Sequence, residues 1–123
     1  MDRENSRDPL SFLPLTSVVF EILLALADGE RHGYAIMQEV EGRSGGAVQL
    51  RPGSLYRAVN RLLESGLVAE SEERPDPEQD DQRRRYYRLT AQGREVAQAE
   101  AQRLEWAVAS ARSKKLLGSR EAV

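Results

Sequence analysis

The stretch that most constrains this chain runs from Pro52 to Gly66, because both ends are punctuated and the interior has two chemically different faces. A proline suits the first helical position, where its missing N–H costs nothing, and a glycine suits the left-handed residue just past a helix end. Pro52 to Ser65 therefore reads as one helix. Leu55, Val59 and Leu62 fall at i, i+4 and i+7 and must point inward, with Leu63 beside them. That leaves Ser54, Arg57, Asn60, Arg61 and Glu64 facing outward, with Tyr56 at the border. Such a helix packs on a core by one face and offers a polar stripe by the other.

The elements on either side set its context. Pro14 and Thr16 are entry signals for a first helix, whose apolar residues Val19, Ile22, Leu23 and Leu26 recur at helical spacing before Asp28-Gly29. A second helix begins near His32 or Gly33 and runs through Tyr34, Met37 and Val40 towards Gly45-Gly46. Val48 and Leu50 flank Gln49 in a short alternating run, expected to pair with one edge of a later hairpin. That hairpin is expected from Leu67 to Glu70 and from Arg85 to Thr90, joined by an acidic loop at Pro75 to Asp81. In its second strand Tyr87 and Leu89 share one face while Tyr86 and Arg88 share the other. Beyond Thr90 the chain is rich in Ala, Glu, Gln and Arg and free of Pro, so one long helix follows. Ala97, Ala101, Leu104, Val108 and Ala111 step by 4, 3, 4 and 3, the rhythm of a helix that packs along another helix. A two-fold dimer through that seam is expected.

The fold class is thus mainly α with a small β-hairpin. Residues 1–12 read as a flexible arm, 13–90 as a winged helix-turn-helix, 91–117 as a dimerisation helix and 118–123 as a tail. A chain of 123 residues with 40% apolar content fits one domain. There is no cysteine and no run approaching the roughly 18 apolar residues of a membrane span, and Met1 to Leu10 lacks the apolar core of a secretory signal. A soluble cytoplasmic protein without cofactor or metal is the expectation.

Charge is segregated although its sum is only −2. Arg51 to Arg61 holds three arginines and no acid, and Gln82 to Arg94 holds five arginines and no acid. Glu64 to Asp81 holds eight acids against Arg74 alone. Two compact basic blocks of this kind suit an anionic partner better than the net charge suggests. No catalytic constellation accompanies them. His32 is the only histidine, and it opens the second helix, where a structural or capping role is expected. Ser54 follows Gly53 without the motif of a nucleophile elbow. The acids of the loop match no EF-hand spacing.

Three ordered motifs now make the sequence recognisable: HGYAI at His32 to Ile36, LRPGSLYRAVNRLLESGLV at Leu50 to Val68, and RRRYYRLTAQGR at Arg83 to Arg94. With these the chain resembles the PadR family of bacterial regulators over about Leu13 to Ser113, in the manner of its shorter members with a single C-terminal helix. The resemblance implies a homodimer that binds a palindromic double-stranded operator. In it the third helix would enter the major groove, the wing would touch flanking backbone, and the last helix would form much of the interface. Ser54, Tyr56, Arg57, Asn60 and Arg61 become the DNA contacts of the third helix, with Arg57 the candidate reader of guanine. Solvated surface arginines are the plain alternative.

Arg83, Arg84 and Arg85 form a second DNA-contact candidate at the base of the wing, where they can clamp phosphates or pair with the acids across the hairpin. Asp76, Glu78, Asp80 and Asp81 stand where the family commonly carries Gly or basic residues. That loop either folds back on the arginines or keeps away from DNA. Trp106, beside the seam, is the candidate for stacking a planar small-molecule effector, against the plainer reading that it packs on the first helix of its own or the partner chain. A repressor released by such an effector is the expected function. A winged-helix interaction module without specific DNA binding is the rival.

Overall fold

The computed structural model describes residues 7–71 and 85–118. Among the described residues four α-helices and three short strands follow one another: α1 (Ser17–Ala25), β1 (Arg31–His32), α2 (Gly33–Arg43), α3 (Pro52–Glu64), β2 (Val68–Glu70), β3 (Tyr86–Leu89) and α4 (Ala91–Ser113). This is the helix, helix, helix, hairpin order of a winged helix-turn-helix, with one long helix appended. The acidic loop at Pro75 to Asp81, and Arg83 and Arg84 with it, lie outside the described residues.

Each helix start has a local cause. The Thr16 hydroxyl accepts a hydrogen bond from the N–H of Val19 at 3.2 Å, and His32 Nδ1 accepts one from Ala35 at 3.2 Å. Thr90 Oγ1 accepts from the N–H of Gly93 at 3.0 Å. These bonds satisfy N–H groups that a helix start leaves without an internal partner. By contrast, α3 starts at Pro52 behind Arg51 with no side-chain cap. Its end is a Schellman turn: Gly66 takes φ +81°, its N–H reaches the carbonyl of Leu63, and the N–H of Leu67 reaches that of Leu62.

The core lies where α1, α2, α3, the sheet and the first half of α4 meet. Ile22, Leu23 and Leu26 of the first helical segment, Ile36 and Val40 of α2, and Leu55, Val59 and Leu62 of α3 are buried there with Tyr87 and Val96. Burying one such side chain is worth about 1.5–3 kcal/mol, so the three from α3 hold that helix by several kcal/mol. The same packing leaves the opposite face of α3 in solvent.

Two expectations need correction. The third strand of the sheet is β1, at Arg31–His32, and not the run at Val48 to Leu50. The sheet order is β1-β3-β2, all antiparallel, with His32 opposite Tyr86 and Val68 opposite Leu89. The N–H of Val48 is held instead by Ser44 Oγ at 3.0 Å, while Val48 and Leu50 pack against the core as loop residues. Within the stretch read as a flexible arm, Pro9–Phe12 forms a one-turn 3-10 helix capped by Asp8, and it packs against α4. Gln92 Nε2 donates to the carbonyl of Arg7 at 2.6 Å and ties the two together.

Candidate nucleic-acid interface

The outward stripe of α3 is built by exclusion. With Leu55, Val59 and Leu62 committed to the core, Ser54, Arg57, Asn60 and Arg61 are exposed. Ser54, Arg57 and Arg61 stand at i, i+3 and i+7, one line down a single side of the helix. Because α3 carries no side-chain cap, its first-turn N–H groups look outward at the same end as Arg51 and Ser54. Arg51, exposed at the N-cap, extends the stripe; the sequence showed it in the basic block but gave it no role there.

Tyr56 sits differently from its neighbours. It is half-buried, and its ring and hydroxyl lie directly over Gly33, so closely that a Cβ on Gly33 would overlap them. The glycine of the HGY motif thus admits the tyrosine of the SLYR motif. This contact sets how closely α2 and α3 approach.

At the wing, Arg85 is half-exposed, and its guanidinium lies 3.5 Å from the carboxylate of Glu70 across the hairpin. The pairing reading of Arg85 is therefore realised for that residue. The neighbouring Tyr87 is fully buried, and burial pushes its phenol up to about 12, helped by the nearby charge of Glu70 and by Tyr56. Arg88 points to the exposed face of the sheet, as the strand alternation requires.

Along α4 the sequence-predicted seam divides. Ala97 packs against the core of its own chain, whereas Ala101 and Val108 are exposed and Leu104 and Ala111 are half-buried. Trp106 is 68% exposed, so it does not pack on the first helix of its own chain. The inward line is Gly93, Val96 and Glu100. Glu100 is a buried carboxylate that periodicity alone did not flag. It accepts from the N–H of Leu15 at 3.1 Å and takes two hydrogen bonds from Arg103, at 2.6 and 3.0 Å. The Arg103 bonds hold its carboxyl below the usual range against the opposing effect of burial, and the Leu15 N–H adds to the lowering.

A second charge cluster braces the helix-turn-helix. Arg43 bonds Glu39 at 2.9 Å and pairs with Glu21 of α1, while Arg31 reaches Asp28 and Glu39. These partly exposed pairs tie α1, β1 and α2 together but add little stability each. Among the described residues no helix is long and apolar enough to cross a membrane.

Three helices on a small three-stranded sheet, with a polar arginine stripe on the third helix, define a winged helix-turn-helix protein of the regulator type. The chain belongs to the transcriptional regulator PadR-like family, whose model matches residues 22–99. It is 45% identical over 80 residues to an uncharacterized 37.1 kDa protein in transposon TN4556 of Streptomyces fradiae, a match covering 65% of this chain and 21% of that protein. The chain thus spans about a fifth of that relative's length. Among solved structures it is similar to a complex structure of RosR from H. salinarum, at 31% identity and a TM-score of 0.62 over 84% of this chain and 80% of that one. A PadR family regulator from Clostridium difficile shares the fold, with a TM-score of 0.62 at 23% identity over 84% of this chain and all of that one.

Proposed function

We propose that this protein is a sequence-specific DNA-binding repressor that works as a homodimer on a roughly palindromic operator. The observation that carries the reading is the α3 stripe. Ser54, Arg57 and Arg61 share one exposed line on a helix whose other face is wholly committed to the core. A helix of this width fits the major groove, where an arginine fork matches the two acceptors of guanine, and the uncapped helix start favours a nearby phosphate. Arg57 reads bases on this proposal, Arg51 and Arg61 bind phosphate, and Tyr56 holds the helix in place through Gly33.

Dimerisation is supported by the outer half of α4, which leaves the apolar side chains of Trp106 and Val108 exposed on a single chain. A second copy covers the line of Ala101, Leu104, Val108 and Ala111 and spaces two α3 helices for two half-sites. Trp106 beside that line offers a flat ring on which a planar effector stacks, and a ligand that binds one dimer geometry better than the other releases DNA.

Selection from a library of genomic fragments, followed by fluorescence anisotropy on the recovered duplex and its scrambled counterpart, tests the reading. Preference for the recovered duplex is expected. Equal, weak binding to every duplex would contradict it and favour a protein-docking role for the same fold.

A further inference from the structure

One side chain serves two helices at the base of the wing. Thr90 Oγ1 donates to the carbonyl of Gly66, the residue that ends α3, at 2.6 Å, and accepts from the N–H of Gly93 in the first turn of α4 at 3.0 Å. The Thr90 N–H donates to the carbonyl of Leu67 at 3.1 Å. That same carbonyl lies so close to Gly93 that a Cβ there would overlap it. The end of α3 and the start of α4 are thus joined by two hydrogen bonds and one glycine contact, with a third bond capping α4 from the same hydroxyl, although 26 residues separate Glu64 from Ala91 in the chain.

From this geometry we infer that Thr90 is a positioning residue that fixes the angle between α3 and α4, and so sets the half-site spacing that the dimer accepts. The inference rests on the reading of α3 as the DNA-reading helix and of α4 as the helix on which two copies pair. Covalently, α3 meets the wing through Gly66 at φ +81°, and a glycine backbone is permissive enough to serve as a pivot. The hydroxyl of Thr90 binds the carbonyl of that residue and removes the freedom. A helix of this length is about 20 Å long, so a pivot of roughly 10° at its end moves the far end by about 3 Å, close to one base-pair step. Small loosening at Thr90 is therefore read out at DNA as lost discrimination between operator spacings.

The chain has no cysteine, so paired spin labels at Ser54→Cys on α3 and Gln102→Cys on α4 report the interhelix distance cleanly. Labelled protein is diluted with excess unlabelled protein so that the distance within one chain is recorded. A narrow distribution is expected for the otherwise wild-type protein and for Thr90→Ser, and a broad one for Thr90→Val, which keeps the shape but loses both hydroxyl bonds. Equal widths in all three overturn the inference. Should Thr90→Val fail to fold, amide exchange in the wild type decides: Thr90 and Gly93 amides protected like those inside α4 are expected, and free exchange overturns the clasp.

In the DNA arm, unlabelled proteins are tested on duplexes whose half-sites are moved apart one base pair at a time. Wild type and Thr90→Ser prefer one spacing. In Thr90→Val the preference falls by roughly tenfold, equivalent to about 1.4 kcal/mol. An unchanged spacing preference in Thr90→Val overturns the inference. A wild type that prefers no duplex overturns the DNA reading itself, and the label distances still decide the clasp.

Discussion

The imidazole of His32 stands edge-on to the ring of Tyr86, with centroids 5.3 Å apart and planes at 85°, while its Nδ1 caps α2 through the N–H of Ala35. The lone histidine therefore joins the sheet to the second helix. Losing the cap costs about 0.5–2 kcal/mol, and losing an aromatic contact about 0.5–1.5 kcal/mol. His32→Ala is expected to lose about 1–3 kcal/mol in urea unfolding. His32→Asn should recover the cap's share, and an Asn variant no more stable than Ala would show that the cap contributes nothing.

Gly33 and Tyr56 should behave as one unit. Gly33→Ala forces the Tyr56 ring off α2, with a cost of about 1–3 kcal/mol expected for overpacking. In a Tyr56→Leu background the same substitution should cost much less. A double-mutant cycle by denaturant unfolding measures this coupling, and additive costs would place the strain elsewhere.

Glu100 predicts an acid-side loss of stability. Its folded carboxyl titrates below the ordinary range, so its contribution is fully present above the unfolded value of about 4.3 and fades as pH falls through the lower folded value. Glu100→Gln should be less stable than wild type at neutral pH, by about 1–3 kcal/mol for the lost charged hydrogen bonds. The two proteins should converge in acid. Thermal melts from neutral pH into acid check this, and a gap that stays constant with pH would assign the cost to packing alone.

Placing Glu at both Leu104 and Val108 should split the proposed dimer without unfolding the chain, because neither side chain belongs to the buried core. Sedimentation velocity reads the mass directly. A dimer of unchanged mass would move the interface away from the outer half of α4.

Much of this arrangement is legible in the residues, and the exceptions share a cause. Thr16, Pro52 and Gly66 act over one helical turn, so local chemistry announces the helix ends, and the two-residue alternation at Tyr86 to Leu89 announces that the two rings lie on opposite faces. The two residues of β1 carry no period at all. Their strand character comes from pairing with Tyr86 and Tyr87, more than fifty positions away, whereas the alternating run at Val48 to Leu50 is drawn into the core as a loop. Glu100 was hidden for the same reason, since its partner Leu15 lies 85 positions earlier. Within the site, the exposed line at Ser54, Arg57 and Arg61 follows from periodicity. The placing of Tyr56 over Gly33 does not, because it depends on how two helices approach.

The most direct measurement of DNA reading is fluorescence anisotropy with the selected duplex and its scrambled counterpart, across a salt series, for wild type and Arg57→Ala. Wild type should prefer the selected duplex, with log affinity falling against log salt by about 0.9 for each phosphate neutralised. Arg57→Ala should lose most of that preference, a cost of about 1–3 kcal/mol for one bidentate base contact, while keeping most of its salt slope. Undiminished preference in Arg57→Ala would contradict the assignment of α3 as the reading helix through this residue.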